Sequence, residues 1–366
     1  MDMKRIIAGM AAALLAAILF TPCTAYAVSA KCAIVVDGQT GRVLYEKNAD
    51  QQSLIASTTK IMTALIICEQ CNVLDRMAIP KEAVGIEGSS MYLREGEVLT
   101  IQELLYGMML HSGNDAAVAL AIYCGGTVEG FAELMNDKAH RLGMRDTHFV
   151  NPNGLDAPGH YSTARDMAIL ASYAMENPIF SRTVSTKTVT VGERYLRNHN
   201  KLLWQVDGAD GVKTGFTKAA GRILVSSASR QGRRIIAVTM NAPDDLNDHK
   251  TLLNQGFAEF IPQTLVAEGV CLGQVEVAGG TAGYCELIAS ESFTFALRED
   301  EKWSVKLPNP GFVYAPVAQG QFAGYAHIFL EDEPVGKVAL VYGNTVEQEK
   351  KPKAPWYQRL FCGGND

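Results

Sequence analysis

The chain has no block of basic residues of the kind that tracks a phosphate backbone. Its formal charge is −6 over 366 residues, which excludes nucleic acid as a partner on electrostatic grounds. Beyond residue 27 no segment is long and apolar enough to cross a bilayer. The seven histidines show no ligand spacing, so neither a metal nor another cofactor is implied. There are no internal repeats. Paired cysteine spacing is missing too: of eight cysteines, seven follow residue 27, an odd number that argues against a dense disulfide framework. Cys68-Glu69-Gln70-Cys71 has redox-motif spacing, yet it ends an apolar helix-like run instead of following a strand. It reads as buried structural thiols, and free thiols outside the cytoplasm would suit a reducing habitat.

What is present is the composition of a globular protein, 48% apolar and 20% charged. The length allows one large domain with a smaller one, or two of ordinary size. Residues 1–27 read as a secretory signal peptide. Lys4 and Arg5 precede an apolar run over residues 6–20, and Ala25-Tyr26-Ala27 supplies a small-x-small cleavage pattern. An uncleaved anchor helix is the alternative, disfavoured because the run is short for a span. A lipid anchor on Cys23 is disfavoured by Pro22, which stands where such signals want a small residue. The expectation is an exported chain, secreted or held at the outer face of the cytoplasmic membrane.

Residues 33–37 and 43–45 form strand patterns around Gly38-Gln39-Thr40-Gly41, a predicted hairpin. Ser57 begins a run, residues 58–67, that is apolar on nearly every side except at Lys60 and so belongs inside a core. Helical periodicity covers 101–124, 127–142 and 163–176. β-Branched alternation covers 183–191 and 222–240, the latter as two strands, and 247–260 makes a closing helix. These elements predict an α/β catalytic domain over residues 28–262 with a mainly antiparallel sheet. Short strand-like pieces recur from residue 263 to 347, predicting a small β-sandwich domain. The tail, 348–366, runs from Lys350-Lys351-Pro352-Lys353 to Trp356, Tyr357, Leu360 and Phe361. It reads either as a weak peripheral membrane contact or as a disordered end.

Three short motifs carry chemistry. In Ser57-Thr58-Thr59-Lys60 the two ends share a helical face, which sets the Lys60 amine beside the Ser57 hydroxyl. A serine needs a base to attack a carbonyl, and a lysine serves only when neutral. Burial and a second nearby cation both favour the neutral form. In Ser112-Gly113-Asn114 a hydroxyl and an amide separated by glycine can point into one cleft. In Lys213-Thr214-Gly215, followed by Phe216 and Thr217, a strand edge offers a cation and a hydroxyl to a carboxylate. Its glycine leaves room for an extended peptide bound by strand addition. Each motif alone is an ordinary helix cap, turn or strand end.

Together and in this order, S-x-x-K, S-D-N and K-T-G are the signature of class A β-lactamases and penicillin-binding proteins, with Ser-Gly-Asn standing here in place of Ser-Asp-Asn. From about residue 33 to 346 the chain resembles the low-molecular-mass penicillin-binding proteins, the serine D-alanyl-D-alanine carboxypeptidases. Gly88-Ser89-Ser90-Met91-Tyr92-Leu93, His111-Ser112-Gly113-Asn114-Asp115 and Asn153-Gly154-Leu155-Asp156 carry the resemblance, with the segment from Gly211 to Gly221. It implies a β-lactamase-like transpeptidase fold with a C-terminal β-sandwich. The implied activity removes the terminal D-alanine from peptidoglycan stem peptides ending in D-Ala-D-Ala, through an acyl-enzyme that β-lactam antibiotics also form. The resemblance makes Ser57 the nucleophile, Lys60 its base and Ser112 a proton relay. It makes Asn114, Lys213, Thr214, Gly215 and Phe216 substrate-binding residues, with an oxyanion hole at the backbone N–H groups of Ser57 and Phe216. The arginine that many relatives carry before the last catalytic helix is missing from Asp244-Asp245-Leu246-Asn247-Asp248-His249, and Arg222 is the candidate substitute. Two rival readings are a class A-like β-lactamase and a non-catalytic wall-binding protein. The first needs a deacylating glutamate, for which Glu133 offers only a superficial match.

Overall fold

The first unit opens on the expected hairpin, β1 (Cys32–Asp37) and β2 (Val43–Lys47). The structure is a computed structural model that describes residues 28–350; residues 1–27 and 351–366, with the signal-peptide reading and most of the tail, lie outside them. Two compact units divide between Phe257 and Ala258. The boundary expected at 262 falls within a strand of the second unit, Ile261–Val266.

In chain order the first unit continues with α1 (Lys60–Gln70), β3 (Arg76–Ala78), β4 (Val98–Thr100), α2 (Ile101–Leu110), α3 (Asn114–Gly125), α4 (Val128–Arg141), α5 (Ala164–Glu176) and α6 (Pro178–Ser185). It closes with β5 (Thr188–Val191), β6 (Arg194–Arg197), α7 (Leu202–Gln205), β7 (Ala209–Thr217), β8 (Gly221–Arg230), β9 (Arg233–Met240) and α8 (Asp245–Glu259). Five strands form one antiparallel sheet in the order β2-β1-β9-β8-β7, so β7, with Lys213, Thr214 and Gly215, is an edge. α1 is buried from Lys60 to Cys68, the central core helix that its all-round apolar pattern predicts.

Local chemistry sets the helix ends that matter. Thr100 and Glu103 make a reciprocal capping box that starts α2. The helical pattern over 101–124 is in fact two helices. Ser112 breaks it with a φ of 64°, and α3 restarts at Asn114. Of the strand expected over 183–191, residues 183–185 are instead the last turn of α6. Asn177 accepts from the backbone N–H groups of Ile179 and Phe180, Pro178 fills the first turn, and burial of Phe180 and Val184 outweighs the β-branched pattern.

The second unit is all β. Strands Ile261–Val266 and Phe293–Leu297 form one small sheet, and a six-stranded sheet contains Cys271–Ala278, Tyr284–Ala289, Phe322–Leu330 and Glu333–Tyr342 among its members. Leu265, Phe295, Ile328 and Val338 join the two in one apolar cluster, as a sandwich requires. Among the described residues no single helix is long and apolar enough to cross a membrane.

Candidate active site

Ser57 lies in a single 3₁₀ turn, Ala56–Thr59, just ahead of α1 and not in the first turn of an α-helix as its spacing suggests. Ala56 takes a positive φ of 45°, uncommon for a residue with a side chain, so the surroundings must hold the turn. They do so from several directions. Thr58 Oγ1 and N both donate to the Ile55 carbonyl, at 2.5 and 3.1 Å. The ring of His160 accepts the Val150 N–H on Nδ1, so its proton sits on Nε2, which donates to Thr59 Oγ1 at 2.8 Å. Burial lowers the His160 pKa to about 4, which keeps this neutral tautomer in place. Gly154, at a φ of +85°, passes so close that a Cβ there would lie 1.9 Å from the Ala56 carbonyl oxygen.

The Lys60 side chain is fully buried. Its Nζ meets three oxygens: Ser57 Oγ at 3.0 Å, Asn114 Oδ1 at 2.6 Å and the backbone carbonyl of Asn153. Burial, followed by the charge of Lys213, pushes its pKa well below the ordinary lysine value, against the opposing pull of Asp115. A neutral amine has two protons and one lone pair. Asn114 Oδ1 and the Asn153 carbonyl can only accept, so they take the two protons and leave the lone pair facing the Ser57 hydroxyl. That is the arrangement a general base needs.

The loop at Ser112 is built from its neighbours. Asn114 Nδ2 donates to the Glu87 carbonyl at 2.6 Å, which fixes Oδ1 toward Lys60. The buried Asp115 carboxylate accepts from Ser90 Oγ, Met91 N and Leu93 N, at 2.6, 3.0 and 3.1 Å, and so clamps residues 88–93 against the start of α3. Ser112, with its left-handed backbone, projects into the cleft beside Ser57.

On the other wall stands edge strand β7. Lys213 is 1% exposed, its Nζ donates to the Thr214 carbonyl at 2.8 Å, and burial lowers its pKa to about 7. A Cβ on Gly215 would stand 3.3 Å from the Ile55 carbonyl oxygen, Ser57 N and Thr58 Cγ2. The glycine expected to make room for a substrate therefore makes room first for the enzyme's own Ser57 turn. Phe216, 63% exposed, lies open on the rim.

These elements enclose a cleft of about 780 Å³. Of the residues singled out from the sequence, Ser57, Ser112, Thr214, Gly215 and Phe216 line it, whereas Lys60, Asn114 and Lys213 are buried behind the wall. Sequence reasoning missed the hairpin side of the cleft, Tyr195, Arg197, His199, Lys201 and Trp204. Arg197 stacks over the Trp204 ring at 4.9 Å, and the His111 and His199 rings lie 5.0 Å apart. Burial, Lys213 and His111 together lower the His199 pKa to about 4. Only the β-branched alternation over 183–191, which includes β5, hinted at this hairpin. Arg222 does reach the cleft, where it is ion-paired at 2.8 Å with Asp245 from the very stretch that lacks the expected arginine. Glu133 lies within α4 and does not line the cleft, so the β-lactamase reading has no glutamate there.

The D-alanyl-D-alanine carboxypeptidase family model matches residues 20–244, and the model of the penicillin-binding protein 5 C-terminal domain matches 260–348. The chain is 34% identical over 313 residues to the D-alanyl-D-alanine carboxypeptidase DacF of Bacillus subtilis, covering 81% of this chain and 80% of that one. It is 33% identical over 369 residues to DacC of Escherichia coli, covering 93% and 92%. Penicillin-binding protein 5 from Haemophilus influenzae superposes with a TM-score of 0.75 at 30% identity, over 88% of this chain and 98% of that structure.

Proposed function

The chain belongs to the D-alanyl-D-alanine carboxypeptidase family and is a serine-type, penicillin-binding hydrolase of D-Ala-D-Ala ends; from that premise we propose how its residues divide the work. Ser57 Oγ attacks the carbonyl of the penultimate D-alanine while Lys60 Nζ takes its proton. The backbone N–H groups of Ser57 and Phe216 receive the developing oxyanion. Ser112, facing the same cleft, passes a proton to the departing D-alanine. Asn114 holds Lys60 through Oδ1 and keeps one amide proton for the substrate backbone. Burial holds the base neutral, with the charge of protonated Lys213 adding to it, and Thr214 with Arg222 takes the terminal carboxylate. Water then hydrolyses the acyl-enzyme. The observation that carries this division is the Lys60 amine, wholly buried, 3.0 Å from Ser57 Oγ and with its two protons matched to other acceptors.

The experiment is release of D-alanine from a pentapeptide ending in D-Ala-D-Ala, alongside labelling by a fluorescent penicillin. Ser57→Ala is expected to lower turnover by roughly 10⁴-fold or more and to abolish the label. Label retained by that variant, or mapped to a peptide without Ser57, would refute the assignment. With no glutamate in the cleft to activate water, the penicilloyl-enzyme is expected to last minutes or longer; rapid penicillin turnover would argue for β-lactamase chemistry.

We also infer that the chain works outside the cytoplasm. The basic, apolar and small-x-small order of residues 1–27 supports this. The basic and then aromatic tail supports a weak peripheral membrane contact at the other end. Cell fractionation, and vesicle co-sedimentation of the full chain with and without residues 348–366, test the two points separately.

A further inference from the structure

The catalytic chemistry uses α1 and α3 at one end only. α1 begins at Lys60 and α3 at Asn114, where Nζ meets Oδ1 at 2.6 Å. At the opposite ends of the same helices stand Cys71, which caps α1, and Cys124, in the last turn of α3. The two side chains are neighbours there, and Cys124 Sγ approaches Oε1 of Gln70, the residue next to Cys71, at 3.6 Å. Both are partly exposed, whereas Cys68, one turn back on α1, is buried. The redox-motif spacing of Cys68 and Cys71 therefore misleads: the partner of Cys71 is 53 positions away along the chain, at 124. Among the described residues no group of three or more His, Cys, Asp or Glu side chains could hold a metal, so this pair is not part of a metal site.

We propose that Cys71 and Cys124 are a dithiol that closes to a disulfide, tying together the C-terminal ends of the two helices whose N-terminal ends carry the catalytic base and its holder. The oxidant is a small or protein disulfide, RSSR. Cys124 gives up its proton to solvent and becomes a thiolate. Its sulfur attacks one sulfur of RSSR and expels RS⁻, leaving a mixed disulfide on Cys124. Cys71 then gives up its proton to solvent and attacks the Cys124 sulfur, expelling the second RS⁻. The protein loses two electrons and two protons, and one RSSR becomes two RSH. Closing the loop between positions 71 and 124 restricts the unfolded chain, which raises stability without touching the cleft. The proposal leans on the export reading only for where an oxidant is met; the chemistry itself is tested on purified protein.

The test is incubation of the full chain with glutathione disulfide, followed by non-reducing peptide mapping and thermal melting. The expected result is a Cys71–Cys124 linkage, reversed by dithiothreitol, with the melting midpoint raised by roughly 5–10 °C. Cys124→Ser should lose both changes while D-alanine release stays at the wild-type level, which certifies its fold. Unreacted thiols, a glutathione adduct on Cys124 that never closes, or a Cys68–Cys71 linkage would each overturn the proposal. A chain found in the cytoplasm on fractionation would defeat the export reading alone, since the linkage in purified protein does not depend on it.

Discussion

The two units differ most in what they bury. Among the described residues the buried charged, amide, hydroxyl and imidazole side chains lie in the first unit, between Asp37 and His249, whereas the second buries only the Tyr342 phenol and the Cys285 thiol beside its apolar groups. The second unit follows the ordinary rule for an interior, aliphatic and aromatic side chains packed between sheets. The first breaks it with two buried lysines, and burying an ammonium is costly unless the group neutralises or is paired. It offsets part of that cost with ready-made acceptors, Asn114 Oδ1 and the Asn153 carbonyl for Lys60 and the Thr214 carbonyl for Lys213. The contrast teaches that the first unit trades stability for chemistry and the second does not.

The largest expected effect is at Lys60. Lys60→Met should lower acylation by roughly 10³-fold, because a positioned base is removed. Its melting midpoint should not fall, because a buried amine is replaced by a side chain of similar size that needs no partner. In the wild type, acylation should decline as pH is lowered through the depressed Lys60 pKa and its lone pair is lost; an acylation rate flat from mildly acidic to neutral pH would break the comparison. Next comes Gly154. A Cβ there meets the Ala56 carbonyl oxygen at 1.9 Å, so Gly154→Ala should displace the Ser57 turn and lower kcat/KM by roughly 10²-fold, with a measurable loss of stability. Wild-type D-alanine release from that variant would show that the turn is not held from this side.

The second unit should behave oppositely. Leu340 is fully buried in its core, so Leu340→Ala should cost about 2–5 kcal/mol in the unfolding of that unit. D-alanine release below the melting range should stay at the wild-type rate, and a matching fall in kcat/KM would end the claim that only the first unit carries chemistry. The smallest effect is a slope. Burial lowers the Lys213 pKa from 10.5 to about 7. Between these values the unfolded chain holds a proton that the folded chain does not, so stability rises with pH across that window. The folded chain carries the full penalty at about pH 7 and below. Lys213→Met removes this contribution, and its advantage in melting midpoint over the wild type should shrink as pH is raised from about 7 to about 9. A constant gap would place the charge elsewhere.

Much of the site was legible because its parts are local. Ser57 and Lys60 are three positions apart, and the all-round apolar run that follows says that the lysine is buried. Ser112-Gly113-Asn114 follows an apolar helical run with a glycine between two polar groups, and Lys213-Thr214-Gly215 reads as a strand edge just ahead of the β-branched run of β8. The less legible parts are carbonyls, clamps and walls. Nothing in the residue type of Asn153 announces that its backbone oxygen holds Lys60, since every residue has such an oxygen. Asp115 was legible only as a member of a motif; its three contacts with residues 90, 91 and 93 needed the loop to fold back on α3. The last turn of α6, residues 183–185, was hidden because Thr183 and Val184 read as the start of a strand, and only packing of Phe180 and Val184 tips the balance.

By itself the amino-acid sequence determined the chemical groups, the order in which they occur, the central helix that buries one lysine, and the change to an all-β second unit. These follow from spacing within a few residues, where helix and strand geometry leave little freedom. Tertiary structure alone decided that two acceptors from distant loops leave the Lys60 lone pair facing Ser57, that Gly215 yields to the Ser57 turn, that Arg222 pairs with Asp245, and that Cys71 faces Cys124 and not Cys68. Each of these joins residues far apart in the chain, and which distant residues meet is set by the packing of the whole interior, not by any local pattern.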